Sequence, residues 1–510
     1  MVLAVNGNSY AYELEKLTSC FFPEEHVTVL IDGLLKDGSE PGDEALGAAE
    51  KVTVKVVRED VTTVTVFFEK DGETVCRLSD SGNFNDRSLA DSADSTELRC
   101  AQLLYRLLSE VTGLDLGWGI LTGIRPSKLL LRLISEKGEE EGISYFENCF
   151  LVSPKKVKLA HSVGLAENRI IGFSNPESFS LYISIPFCPT RCSYCSFVSS
   201  AMNTPTAEKA FVPYFENLLE EIKYTAQIAD ECGIKMRSAY VGGGTPSTLS
   251  AEQTALLLKT VRDGFDMSDC LEFTFEAGRP DTITDEKLSA CREGGVDRIS
   301  INPQTMVDGV LAAVGRRHTA QDVIDVFNDA RRLGFTNINM DLIAGLPADD
   351  FEGFKYSLEE LIGLSPESIT VHTLAYKRSS DLSYENGLFS ATRDIARMVD
   401  FANDSLYENG YNPYYMYRQA KSVGNLENVG WCRPGFESAY NIFMMEECHT
   451  ILACGAGAVT KLKEPAGDEI ERVFNFKYPF EYNQNFAEQI NRKKAVKIFY
   501  GQHSLPKDGQ

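Results

Sequence analysis

The 510-residue chain has no long apolar run, no extended stretch of lysine and arginine, no repeat of fixed period, no low-complexity segment and only six histidines. Each absence removes a class of protein. Without some ~18 consecutive apolar residues no spanning helix is expected. The opening MVLAVNGNSYAYELEKL has no basic segment followed by an apolar one, so no secretory leader is read there and a cytoplasmic location is expected. A net charge of −24 and a pI near 4.8 repel a polyanion, which excludes nucleic acid as an expected partner. Residues 1–100 hold 9 Lys and Arg against 20 Asp and Glu, a solvated acidic surface. The 13 cysteines are odd in number and scattered, which suits reduced thiols and not a disulfide framework. Cys20, Cys76, Cys100, Cys149, Cys232, Cys270 and Cys291 stand singly in apolar patterns and read as core.

The length allows two or three domains, since single cores stop growing near ~250–300 residues. From Leu181 onward six β-rich runs recur: LYISIPF, SAYVGGG, LEFTFEA, DRISINP, NINMDLIAG and SITVHTLA. Amphipathic stretches separate them, at Ala207–Ala229, Ala251–Gly264, Asp285–Gly294, Ala320–Gly334 and Phe351–Gly363. Repeated βα units predict an α/β fold with a parallel sheet and right-handed crossovers, an incomplete relative of the eight-fold barrel. Earlier, VTVKVVRED and VTTVTVFFEKDGETVCRLS alternate like hairpin strands, STELRCAQLLYRLLSEVTG reads as a helix, and Gly172–Ser180 reads as a linker. The expected division is an N-terminal α/β domain at 1–175, the βα core at 176–385, and a C-terminal region at 386–510 that covers the substrate.

In a parallel βα sheet the loops at the strands' C-terminal ends carry the chemistry. Cys188, Cys192 and Cys195 follow the first strand, GGGTPS the second, Glu276 ends the third, Gln304 the fourth, and Asp341 lies at the end of the fifth. Three thiolates in a C-x3-C-x2-C loop suit either a zinc site completed elsewhere or a four-iron cluster with one iron left open. Position favours the cluster: the facing glycines, Gly242 to Gly244, let backbone approach a ligand closely. The open iron can chelate the amine and carboxylate of S-adenosylmethionine, whose reductive cleavage supplies a 5′-deoxyadenosyl radical. GAGAVT, Gly455–Thr460, lacks the remainder of a dinucleotide fingerprint and is set aside. Cys432, Cys448 and Cys454 have spacings that fit no compact ligand set.

With these residues the chain resembles the radical S-adenosylmethionine (SAM) superfamily and, within it, the oxygen-independent coproporphyrinogen III oxidase group. YISIPFC, C-x3-C-x2-C, GGGTPS, RISINPQTM, GRRHT and MDLIAGLP match that group in order and spacing over about residues 180–460. WGILTGIRPSK, Trp118–Lys128, and YRQAKSVGNLENVGW resemble its longer branch, coproporphyrinogen dehydrogenase of the HemZ type. The resemblance implies a partial (β/α)6 radical-SAM barrel in which Cys188, Cys192 and Cys195 hold a [4Fe-4S] cluster. Tyr182, Gly243 and Glu276 would contact the cluster-bound SAM, and Tyr194, Gly244, Thr245, Gln304, Arg316, Asp341 and Ala375 would line a second pocket that holds another SAM or lies toward the substrate. No side chain is assigned a catalytic role, because the radical arises at bound SAM. The implied reaction converts two propionates of coproporphyrinogen III to vinyls, giving protoporphyrinogen IX in haem biosynthesis, with a reduced flavodoxin or ferredoxin type of electron donor.

The pattern departs from the oxidases at Phe197, where they carry a further cysteine and the haem-chaperone relatives carry Phe. The chaperones' His-Asn-x-x-Tyr-Trp motif has ENVGW, Glu427–Trp431, as its nearest counterpart, without the histidine. The alternatives are therefore haem binding or transfer, or another radical reaction on a tetrapyrrole. His372 ends the sixth strand and is the best-placed histidine. Tyr411–Tyr417 and Trp431 are expected to wall the mouth, with Arg418, Lys421 and Arg433 receiving the substrate's carboxylates.

Overall fold

In the computed structural model the described residues are 1–23, 25–123, 125–197, 199–375, 388–419 and 423–503. They form two compact units. One comprises Met1–Gly164, Ser383–Arg397 and Met416–Glu427, and the other Leu165–Leu382, Met398–Tyr415 and Asn428–Gln510. Contacts thus divide the chain in two, where composition suggested three regions, and stretches on either side of residue 400 return to the first unit.

The first unit is built on a six-stranded sheet in the order Leu34–Leu35, Thr28–Ile31, Val2–Asn6, Glu50–Arg58, Thr62–Lys70, Glu73–Gly82. The expected hairpin strands are there, paired antiparallel with Val54 opposite Val66 and Val56 opposite Val64. Their alternation puts Val52, Val54, Val64, Val66 and Phe68 on one buried face. Helix Thr96–Thr112 covers that face with Leu98, Leu104 and Leu108. It begins where the Ser95 hydroxyl accepts from the Leu98 N–H and ends where Gly113 turns to φ 65°. Elsewhere in this unit the Glu427 carboxylate, 1% exposed, accepts from Trp118 Nε1 at 2.7 Å and Lys156 Nζ at 2.6 Å.

The second unit holds the six expected strands, Ser178–Ile185, Lys235–Gly243, Glu272–Gly278, Arg298–Ile301, Ile338–Ala344 and Ser368–Thr373. Neighbours pair parallel throughout. Helices Pro205–Cys232, Ala251–Gly264, Asp285–Glu293, Ala320–Arg332 and Phe351–Leu364 make the crossovers. Their starts are chemically marked: Thr204, Ser250, Thr284, Thr319 and Asp350 each cap a helix through the side chain. One set of strand positions, such as Leu181, Ile183, Val241, Phe273 and Ile299, consists of buried apolar residues. The alternate positions are polar: Ser180, Ser238, Glu272, Arg298 and Asn339 are all buried as well. This polar row continues upward into the site.

The parallel sheet does not end at its expected edges. Strand Thr450–Cys454 adds parallel to the first strand, and Glu427–Cys432 adds antiparallel to the sixth, giving an eleven-stranded sheet with Asn412–Arg418, Val459–Lys463 and Ile470–Phe474 further out. GAGAVT makes the turn of the hairpin between Thr450–Cys454 and Val459–Lys463. Gly455 there sits at φ 95°, and a Cβ would fall 2.5 Å from the Tyr214 hydroxyl. Beneath this added edge the Glu221 carboxylate, fully buried, accepts from the Gly455 N–H, Tyr482 Oη, Asn475 Nδ2, Gln489 Nε2 and Lys493 Nζ.

Candidate functional site

The three cysteines occupy one pinned loop. Phe187–Cys188 pairs with Ser200–Ala201, and the Met202 N–H bonds the Cys188 carbonyl at 2.8 Å, closing the loop at its base. Inside it the Cys195 N–H bonds the Cys192 carbonyl at 3.1 Å. Cys192 is buried, and Cys188 and Cys195 are partly accessible. Burial pushes the Cys188 and Cys195 thiols up from their ordinary value. Among the described residues no group of three or more His, Cys, Asp or Glu side chains stands close enough to hold a single metal ion.

The glycine turn lies against this loop. The Gly244 and Thr245 N–H groups bond the carbonyls of Ile185 and Phe187 at 2.9 and 2.8 Å. The Thr245 hydroxyl donates to Cys188 Sγ at 3.4 Å. A Cβ on Gly244 would lie 2.7 Å from the Phe187 carbonyl oxygen and 3.0 Å from Cys188 Sγ, and Gly243 sits at φ 112°. Only glycine admits this approach.

Three aromatic rings stack inward from the first two strands and a later helix. Tyr182 lies 6.3 Å from both Tyr240 and Tyr440, and Tyr240 and Tyr440 are 4.5 Å apart at 23°. Tyr240 donates to Glu276 Oε1 at 2.6 Å, and a Cβ on Gly242 would meet both residues. Burial raises the Glu276 carboxyl to about 7 even though the Tyr240 bond favours its ionised form. Asp341 behaves oppositely. Burial opposes its charge, but His372, with Nε2 3.8 Å from Oδ2, and the Asn339 amide at 2.7 Å hold its carboxyl below the usual range.

Gln304 adopts φ 71°, tied by its N–H to the Asp341 carbonyl and by its carbonyl to the Ile343 N–H. Its side-chain oxygen is buried without a partner, an acceptor held ready in the site. Arg316, 7% exposed, spends Nη1 on the carbonyls of Asn302 and Pro303. Tyr194 packs on Val310, Val314, Ile343, Leu346 and Leu374, and burial raises its hydroxyl well above the ordinary range. Ala375, half-buried, follows the sixth strand. Tyr240 and Tyr440 are absent from the sequence reading. Tyr240 was legible, since it shares the face of Gly242 two residues on. Tyr440 had no local signal.

Other expectations are overturned. Arg418, 3% exposed, lies in the first unit, where its guanidinium donates to the carbonyls of Leu121 and Gly123 and sits 5.2 Å over the Trp118 ring. It is a structural cation whose donors are spent on backbone carbonyls and not on a substrate's carboxylates. Arg433 lies over the Tyr411 ring at 4.0 Å and bonds the Asn409 carbonyl on the surface. Lys421 falls outside the described residues. Tyr411 and Trp431 do not wall the mouth: the Tyr411 hydroxyl donates to the Pro366 carbonyl, and Trp431, fully buried, meets Tyr407 edge-on. Tyr417 belongs to the first unit. Cys432 is buried, Cys448 faces the Phe443 carbonyl, and Cys454 donates to Thr225.

A parallel βα sheet with a three-cysteine loop and a glycine turn at its C-terminal end defines a class, and the family profile described as the radical SAM superfamily matches residues 182–361. The oxygen-independent coproporphyrinogen-III oxidase-like protein HemZ of Bacillus subtilis is 38% identical over 76% of this chain and 78% of its own. The heme chaperone HemW of Haemophilus influenzae is 31% identical over 59% of this chain and 75% of its own. Among solved structures, the coproporphyrinogen III oxidase HemN of Escherichia coli is 24% identical, with a TM-score of 0.49 over 64% of this chain and 73% of that one. The chain belongs to the radical SAM superfamily and, within it, to the family of the HemZ-like coproporphyrinogen oxidase-like proteins.

That superfamily implies a [4Fe-4S] cluster and SAM. The residues suit both. The donor set is three thiols, one hydroxyl already points at a sulfur, and the glycine cradle would be filled by any Cβ. Glu276 offers oxygens to hydroxyls or an ammonium, and Gln304 an unmatched acceptor. No helix among the described residues is long and apolar enough to cross a membrane.

Proposed function

We propose that the chain is a radical SAM enzyme that decarboxylates propionate side chains of a tetrapyrrole, converting coproporphyrinogen III to protoporphyrinogen IX. The observation that carries this reading is the convergence of the cysteine loop, the glycine turn, Glu276 and Asp341 at one mouth of the parallel sheet. Cys188, Cys192 and Cys195 hold the cluster. Tyr182, Gly243 and Glu276 contact its SAM, and Tyr194, Gly244, Thr245, Gln304, Arg316, Asp341 and Ala375 line the second pocket. When bound, the cluster and SAM would supply a carbon radical to take a hydrogen atom from a propionate, and loss of carbon dioxide with transfer of one electron to an external one-electron acceptor would leave a vinyl group.

The chain's own residues bind and shield. The Tyr182, Tyr240 and Tyr440 rings offer a flat apolar wall and keep water from the radical. Glu276, titrating near neutrality, accepts hydrogen bonds in either state, while Asp341 stays ionised beside His372. The C-terminal region covers the mouth through Tyr440, not through the tyrosine-rich run. A reduced flavodoxin or ferredoxin delivers the electron. The relationship to a heme chaperone favours a second reading, haem binding or transfer, as does Phe197, 67% exposed where the oxidases carry cysteine.

Anaerobic incubation of reconstituted protein with coproporphyrinogen III, SAM and a reductant, with products resolved by mass, tests the proposal. Vinyl product and 5′-deoxyadenosine are expected, and both should vanish in Cys188→Ala, Cys192→Ala and Cys195→Ala. Stoichiometric haem binding without vinyl product would replace the enzyme reading by the carrier.

A further inference from the structure

The cysteine loop is held by a residue that the chemistry described so far leaves unused. Arg279 follows the third core strand and is 3% exposed. One side of its planar fork grips Asp281, with Nε to Oδ1 at 3.0 Å and Nη2 to Oδ2 at 2.9 Å. The other side, Nη1, enters the cysteine loop and donates to the Thr190 hydroxyl at 2.9 Å and the Thr190 carbonyl at 3.2 Å. The same nitrogen stands 3.9 Å from Cys192 Sγ. His318, itself 3% exposed, lies beside Asp281, with Nδ1 3.8 Å from Oδ1.

Two features set this apart from a simple loop tie. Binding a carbonyl and a hydroxyl needs no charge, yet the donor is a guanidinium, which stays charged when buried. The assembly is also polarised: the cation faces the sulfur, and its balancing carboxylate lies on the far side of the fork. Adding one electron to an iron–sulfur cluster adds one negative charge that the ligand sulfurs share. A cation and an N–H aimed at a ligand sulfur favour that reduced state, and hydrogen bonds to the sulfurs are a known lever on potential.

We propose that Arg279 is a positioning residue that raises the reduction potential of the cluster held by Cys188, Cys192 and Cys195, with Asp281 as the counterweight that limits the rise. The inference rests on the reading of this loop as the cluster site. No bond forms or breaks: one electron passes from a reduced low-potential protein donor into the cluster.

The test is a redox titration of anaerobically reconstituted full-length protein, read by the electron paramagnetic resonance of the reduced cluster, with iron and sulfide measured on each sample. Arg279→Gln removes the charge and is expected to lower the reduced-to-oxidised ratio at fixed poise about tenfold, equivalent to about 59 mV for one electron. Arg279→Lys restores most of it. Asp281→Asn leaves the cation uncompensated and shifts the potential upward. Thr190→Val removes an anchor without touching the charge and leaves the potential in place. The opposite signs for positions 279 and 281 are a signature that a purely structural role does not produce. Unmoved potentials at wild-type iron content overturn the proposal, as do shifts of one sign at both positions or a Thr190→Val shift equal to that of Arg279→Gln. If Arg279→Gln takes up no iron, the sign for Asp281→Asn decides. Failure of the underlying reading looks different: wild-type protein without iron, or Cys192→Ala with a full load.

Discussion

Replacing Glu276 by Gln should make the folded protein more stable in alkali and leave it unchanged in acid. The carboxyl is shifted from 4.5 to about 7, chiefly by burial. A carboxyl whose value is raised on folding costs nothing while it is protonated in both states. The cost appears as pH climbs through the unfolded value and is complete above the folded one. The shift corresponds to about 3 kcal/mol at 1.36 kcal/mol per unit. Because Glu276 keeps some access to the mouth, about 2 kcal/mol is the figure to test. Gln retains the oxygen that accepts from Tyr240 at 2.6 Å, so what remains of the substitution is independent of pH. The assay is urea unfolding of both proteins without cofactor from pH 5 to 8, read by deuterium uptake of the segment Glu272–Gly278, which isolates the unit in question. The variant's advantage should grow from about a quarter of its full size at pH 5, where the unfolded carboxyl is already largely ionised, to its full size by pH 8. A difference that stays flat across this range, or a wild type that gains on the variant as pH rises, would refute the reasoning.

Gly244→Ala places a Cβ 2.7 Å from the Phe187 carbonyl oxygen and 3.0 Å from Cys188 Sγ, so iron per chain should fall several-fold while circular dichroism stays native; a full iron load would count against the cradle. Glu221→Leu removes the carboxylate that Lys493 and three side-chain donors share in a buried pocket and should cost about 3–5 kcal/mol in urea unfolding. Lys493→Met should cost clearly less, because Glu221 keeps its other donors; equal losses would contradict this ranking. Arg418→Ala removes charged bonds to Leu121 and Gly123 and the contact with Trp118, which should destabilise the first unit by about 2–4 kcal/mol. Its substrate requirement in the tetrapyrrole assay should not move.

Local chemistry was readable where it was periodic. Helix Ala251–Gly264 has the bounds that the pattern predicts, because Ser250 and Gln253 form a reciprocal capping box at its start. The six core strands were legible because apolar and polar residues alternate along them, as at Leu181, Tyr182 and Ile183. The βα order put GGGTPS and Glu276 at the mouth with the cysteines, and the resemblance added the SAM contacts at Tyr182, Gly243 and Glu276. What failed was long-range. Arg418 and Arg433 stood beside an aromatic run, and proximity in sequence was taken for proximity to the mouth; the chain crosses between units at Met416, and Arg418 goes with the first. Nothing in ENVGW or CGAGAVT announces a strand that will extend a sheet begun far earlier, since pairing partners distant in sequence leave no periodic trace. Tyr440 and Arg279 were missed for the same reason: each is ordinary where it stands and acquires its role only when another element is laid against it.

The parallel partnership between Ser178–Ile185 and Thr450–Cys454 has a consequence for biogenesis. A chain emerging from the ribosome presents the first core strand long before the strand that will flank it exists. Until then one side of that strand carries unpaired N–H and C=O groups, with the cysteine loop hanging from its end and Glu221 lacking the donors that arrive with Asn475, Tyr482, Gln489 and Lys493. The nascent protein therefore passes through a stage in which the helices that follow the first strand are made but its flank is open. Closure belongs to the final part of synthesis. A chain stalled or clipped before Thr450 would keep an unsealed, aggregation-prone edge on its first core strand.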